Sequence, residues 1–447
     1  MQVNPLRSDV AWQGLVADNR TRAARDYFLM LLCMTALLNM LDRQIFAILL
    51  EPIKRDLHLS DTQMGFVTGG AFAIVYTIAG IPLGRLIDIG KRCTILAATL
   101  LVWSAMTMCC GLARSYMLLL GARMGVGIGE AGSLPATMSV IGDLYPAEKR
   151  SGAIGLIYAC ATLGVAASLA LGGYLETTIG WRGTFVVVGI PGIIMGLLFL
   201  FTVPEPQRGR HPETDRRTTI AALREIWRVP SFRIVAFMSV LLSFSGNAII
   251  GWSPTFLMRV HHMSAGEVGR AIGIAVICGA VGSFISGQIA DRGVKRDIRW
   301  LFAITALGPL LAIPAVLAFL YGSGSFMLIG SYTVFQLFAS MFIAPSYALA
   351  ISVTSSQTRA LTVAVIATFQ NLGGLALGPL AVGMLNDALG LRVGPVAIRY
   401  SLTVVLIGFL GVALLASAGL RHIQRDFAHA QKLADPKSVE ALGNHGE

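Results

Sequence analysis

Apolar runs of about 20 residues recur along this chain, each long enough to cross a bilayer core of about 30 Å. Twelve such runs lie between residues 27 and 422. Inside a membrane the backbone must satisfy its own hydrogen bonds, so only helices or closed barrels can span it. The periodicity here is helical and never strictly alternating, which predicts α-helices and excludes a barrel. The fold class expected is therefore an all-α polytopic membrane protein: twelve transmembrane helices in two six-helix bundles. Composition agrees. Only 13% of residues are charged, against about 25% in soluble domains.

A net charge of +11 raises the possibility of a nucleic-acid partner, but its distribution argues otherwise. If both termini share one side, 25 of the 35 Lys and Arg fall in the tails and loops of that side. Eight fall opposite, and Arg43 and Arg123 lie within spans. That bias follows the positive-inside rule and predicts cytoplasmic termini. No nucleic-acid partner is needed; the expected surroundings are the lipid bilayer of a bacterial inner membrane. The six cysteines all fall in spans without CxxC spacing, so neither disulfides nor a metal are expected. No cleavable leader is apparent, because the first apolar run is a full span holding a charge pair.

The longest polar interruption, "VPEPQRGRHPETDRRTTIAALREIWRVPSFR" (203–233), separates six spans from six. Its later part, Ile220–Trp227, suits an amphipathic surface helix. The expected organisation is a tail (1–26), a six-helix bundle (27–203), a linker (204–230), a second six-helix bundle (231–422) and a tail (423–447). The halves repeat. "GRLIDIGKR" (84–92) and "GQIADRGVKR" (287–296) share G-x-x-x-D-x-G, with Asp88 and Asp291 offset by 203 residues. Pro135 and Arg150 have counterparts near Pro345 and Arg359, at a similar offset. A repeat of this length indicates duplicated bundles.

With its twelve spans, long central loop and paired G-x-x-x-D-x-G loops, the chain resembles the major facilitator superfamily. More narrowly, "LDRQIFAILLEPIKRDL" (41–57), "RMGVGIGEAGSLPA" (123–136), "DLYPAEKRS" (143–151), "PEPQRG" (204–209) and "GWSPTFL" (251–257) resemble the spinster-like subgroup. That subgroup includes lysophospholipid and sphingosine-1-phosphate transporters. The resemblance implies spans 1 and 4 lining a cavity. It also implies that Asp88, Arg92, Asp291 and Arg292 form a cytoplasmic gate in the outward-facing state. Asp88 could equally cap the helix that follows it.

Ionisable groups inside spans cost at least a few kcal/mol and usually mark function. Asp42, Arg43, Arg123 and Glu130 stand out, all in the first half. Arg123 and Glu130, seven residues apart, project from one helix face, with Gly127 between them. The carboxyls of Asp42 and Glu130 suit proton coupling. The guanidinium groups of Arg43 and Arg123 suit a phosphate or carboxylate headgroup. Three structural alternatives exist: a static Arg123–Glu130 pair, an Arg43 that merely cancels Asp42, and an Arg123 that snorkels to the surface. Polar candidates for the cavity wall are Tyr76, Tyr158, Asn247, Gln336, Tyr347, Gln370 and Asn371. Pro254 and Gly378–Pro379 mark either gating bends or static ones.

These features predict a secondary transporter working by alternating access. Its cargo is read as an amphipathic anionic lipid, with protons as coupling ion and no other cofactor. A small soluble organic anion is the alternative cargo, and a non-transporting membrane sensor a third reading. A monomer is expected. No HExxH, GxSxG or P-loop motif occurs, so no enzyme is expected.

Overall fold

The computed structural model describes residues 19–203, 205, 219–354 and 358–434. It is helical throughout these residues. The chain runs through α1 (Asn19–Leu57), α2 (Asp61–Gly65), a π-helical turn (Phe66–Gly70), α3 (Ala71–Ile89), α4 (Arg92–Gly111), α5 (Tyr116–Glu130), α6 (Ser133–Leu144) and α7 (Ala147–Thr202). After the linker come α8 (Thr219–Arg228), α9 (Pro230–Val260), α10 (Ala265–Val294), α11 (Trp300–Tyr321), α12 (Ser325–Ala339) and α13 (Ile343–Ser352). The last group is α14 (Arg359–Phe369), a second π segment (Gln370–Ala376), α15 (Leu377–Val393), α16 (Ala397–Thr403), α17 (Val405–Gly419) and α18 (Ile423–Ala434).

Among the described residues, nine helical segments are long and apolar enough to cross a membrane. This is fewer than twelve for two physical reasons. Gly152–Thr202 and Leu361–Gly419, at 51 and 59 residues, are each more than twice the length that one crossing needs. The first of them turns back at Gly180, whose φ of 71° breaks the helix. The stretch expected as the fourth span is broken at Ala131–Gly132 into α5 and α6. The amphipathic linker helix forms as α8.

Repetition extends to local geometry. Ser60 and Ser264 each cap the next helix in a full capping box, with Gln63 and Glu267 closing it. The residues before them, His58 and His262, are the two non-glycine residues with positive φ among those described. Both pairs are 204 positions apart.

The halves meet along two seams. At one, α2 and its π turn pack on α15; a β-carbon on Gly65 would stand 2.5 Å from the Pro379 carbonyl oxygen, and one on Gly69 2.3 Å from that of Leu375. At the other, α10 packs on α7; a β-carbon on Gly269 would stand 2.3 Å from the Leu169 carbonyl oxygen. Gly65 and Gly269 occupy equivalent repeat positions. Both seams depend on small residues that admit close backbone approach.

Candidate functional site

Four helices converge on the first-half charges. α5 supplies Arg123 and Glu130, and its glycines let neighbours close in. A β-carbon on Gly129 would stand 2.6 Å from Cβ of Trp103 on α4, and one on Gly127 3.1 Å from the Phe72 carbonyl oxygen on α3. α1 can then place Asp42 and Arg43 against them.

Arg43 pairs with Glu130: its Nε and Nη2 donate to Oε2 at 3.1 and 2.8 Å. Glu130 is 1% exposed, so the pair is buried on the carboxylate side. The Arg43 guanidinium also lies over the rings of Phe72 (4.8 Å) and Tyr76 (5.1 Å). Arg123, 2% exposed, sits between Phe46 (4.7 Å) and Phe72 (4.6 Å). Its Nη2 donates to the Arg43 carbonyl oxygen at 3.3 Å. Phe72 thus carries both cations. Burial excludes the snorkelling expected as one alternative for Arg123, and the Arg43–Glu130 bond replaces the static Arg123–Glu130 pair.

Asp42, adjacent in sequence, points elsewhere. It is buried, and Thr107 Oγ1 donates to its Oδ2 at 3.3 Å. Arg43 therefore does not cancel it, because successive residues on a helix face different ways. Glu130 Oε1 and Arg123 Nε are buried beside the pair, and the Trp103 indole lies within reach of Asp42.

A cavity of about 30 Å³ opens beside the two arginines. That volume accommodates about one water. The first half lines it with Arg43, Phe46, Thr68 and Arg123, and the second with Asn247, Gly251, Leu375 and Pro379. Asn247 holds its amide on Ser243, donating to its carbonyl oxygen at 2.8 Å. Tyr347 donates to Gln370 Oε1 at 2.9 Å. Gln370 and half-buried Asn371 belong to the second π segment. Tyr158, largely exposed, lies within electrostatic range of Tyr76 and Tyr347. Gln336 is buried, with its backbone oxygen where α12 backs onto Gly279 of α10.

Asp291 and Arg292 are exposed, and the Asp88 side chain, like that of Arg359, lies outside the described residues. Arg92 is buried within the first half. It pairs with Asp143 and with Glu205 (3.2 Å), and Glu205 also accepts from its backbone N–H at 3.0 Å.

An ion network that sequence reasoning missed closes the opposite end. Arg259 of α9 reaches Glu51 at 2.6 Å and Asp61 at 2.7 Å. Lys54 binds Asp61 at 2.5 Å and Arg55 binds Glu51 at 3.0 Å. Asp387 of α15 accepts from the backbone N–H groups of Asp61 (2.9 Å) and Thr62 (2.8 Å), and from the Thr62 hydroxyl (2.5 Å). It caps a helix of the other half. Among the described residues, this network joins the two halves by hydrogen bonds and ion pairs. The molecule is thus sealed at the end carrying residues 58–62. The sequence analysis singles out none of these charges; the signal available was the acid–base density flanking Ser60.

The comparisons with known proteins agree with this architecture. The Major Facilitator Superfamily model matches residues 32–321. An MFS-type efflux pump of Mycolicibacterium smegmatis is 35% identical over 380 residues, covering 84% of this chain and 87% of that protein. A probable L-galactonate transporter of Escherichia coli is 27% identical, covering 63% of this chain and 65% of that one. Among solved structures, a bacterial homologue of the human lysosomal transporter Spinster, inward-facing and unoccupied, superposes with a TM-score of 0.83 at 28% identity. The match covers 90% of this chain and 98% of that one. The polytopic helical fold, its two glycine seams and these matches lead to one conclusion: the chain belongs to the Major Facilitator Superfamily.

Proposed function

We propose that this secondary transporter carries an amphipathic anionic lipid, a lysophospholipid or sphingolipid phosphate, coupled to protons. The observation that supports it most is the buried Arg43–Glu130 pair at a cavity shared by both halves, with Arg123 stacked alongside. An anionic headgroup competes with Glu130 for Arg43. Protonating Glu130 releases the guanidinium to that headgroup, and losing the headgroup restores the pair. Asp42 is the second proton site, buried one residue away. Tyr76, Tyr158 and Tyr347 line the route for the apolar tail. On this reading residues 27–203 and 231–422 rock as two six-helix bundles, both termini are cytoplasmic, and the sealed end faces outward. The cytoplasmic latch, Asp88 and Arg92 with Asp291 and Arg292, forms when that seal opens.

A soluble organic anion is the second reading, favoured by the small cavity and by the likeness to a sugar-acid transporter. Reconstituted vesicles with an imposed pH gradient separate the two. Gradient-driven movement of a lysophospholipid, lost by about tenfold or more in Asp42→Asn and Glu130→Gln, is the expected result. If both variants transport normally under the gradient, the proton assignment fails. If only a sugar acid moves, the second reading replaces the first.

A further inference from the structure

A much larger cavity, about 980 Å³, lies at the unsealed end, far from the central arginines. Its size is at the top of the range for small-ligand sites. α8 lines one wall with Arg224 and Arg228. His422, Arg425 and His429, on and just before α18, line another, and Thr354 contributes a hydroxyl. Two carboxylates share the wall, and both are occupied. Asp426 accepts from the backbone N–H of Ser231 at 2.9 Å, capping α9. Glu225 is likewise engaged. The three arginines make no ion pair among the described residues.

α8 is held in place by its apolar face. Ile226 is buried, and the Trp227 ring stacks on Phe369 at 5.5 Å and meets Phe232 edge-on at 6.0 Å. Its basic face is thereby presented to the cavity. Arginines from two helices line this one cavity, and guanidinium groups are the donors best suited to phosphate oxygens.

We propose that this cavity binds the phosphate group of an anionic ligand, supplied either by a lipid headgroup or by a soluble phosphate. Arg224, Arg228 and Arg425 hold the phosphate oxygens. Occupancy ties α8 and α18 to the start of α9, the helix whose far end carries Arg259 of the seal.

The test is thermal unfolding of the purified full-length protein with two probes: inorganic phosphate against chloride at equal ionic strength, and phosphatidylcholine vesicles with and without phosphatidylglycerol. Wild type is compared with Arg224→Gln/Arg425→Gln. The expected result is a rise in Tm whose midpoint needs about tenfold more probe in the variant. A response to both probes identifies the phosphate group alone as sufficient; a response to phosphatidylglycerol only identifies a lipid headgroup. No response, or equal responses in wild type and variant, overturns the proposal. Should the double variant not fold, Arg425→Gln alone decides in the same way.

Discussion

At the scale of single residues, the contrast between Asp42 and Arg43 organises the site. Neighbours in sequence, they serve different partners, because one helical step rotates a side chain by about 100°. Glu130 is the group Arg43 needs. Removing one member of a buried pair leaves the other uncompensated, at about 3–5 kcal/mol. Glu130→Ala should therefore lower unfolding stability by about 3 kcal/mol, since Arg43 keeps some access to water. Arg43→Leu/Glu130→Leu should cost less than that single change. Denaturation of the purified variants checks both, and a double variant worse than Glu130→Ala would contradict this account of the pair. Glu130→Gln is the gentler change for transport assays, because the amide oxygen still accepts from Arg43.

At the scale of elements, the seams decide which conformation is held. Gly269→Leu would drive a side chain into the Leu169 carbonyl, so α10 and α7 must separate. The variant should populate the conformation open at the residue 58–62 end. Distances between spin labels across that end should lengthen; unchanged distances would show that the seam tolerates bulk. At the other seam Asp387→Ala removes an inter-half helix cap, worth about 1 kcal/mol, and should shift the same distances by a smaller amount.

How much of this was legible in sequence follows the range of the interactions. Helical spans, the repeat and the linker helix are written in local periodicity, and all could be read. Charges within apolar runs stand out for the same reason, so Asp42, Arg43, Arg123 and Glu130 were found. Their pairing depends on how α1, α3, α4 and α5 pack, which local pattern does not encode; hence Arg43, rather than Arg123, on Glu130. Arg259 and Asp387 were missed because they sit near helix ends, where a charge is unremarkable until the residue it meets, nearly 200 or more positions away, is known.

At the scale of the whole molecule, the ion network is a seal between halves whose backbones also approach at glycine contacts. Arg259→Gln leaves Glu51 and Asp61 without their shared cation. The population open at that end should rise by about tenfold or more, measured as reactivity of a cysteine introduced beside the central cavity toward an impermeant thiol reagent. Reactivity equal to that of the parent would show that the glycine contacts alone hold the seal.

The seal's two edges also answer to different variables. Where α1 and α2 meet α9 and α15, the hold is Glu51 and Asp61 on Arg259 and Asp387 on the start of α2, contacts that need specific partners in place. The seam of α10 with α7 is a contact of glycine against backbone, which needs only fit. Losing one cation therefore frees the first edge at a stroke, whereas the second yields only to added bulk.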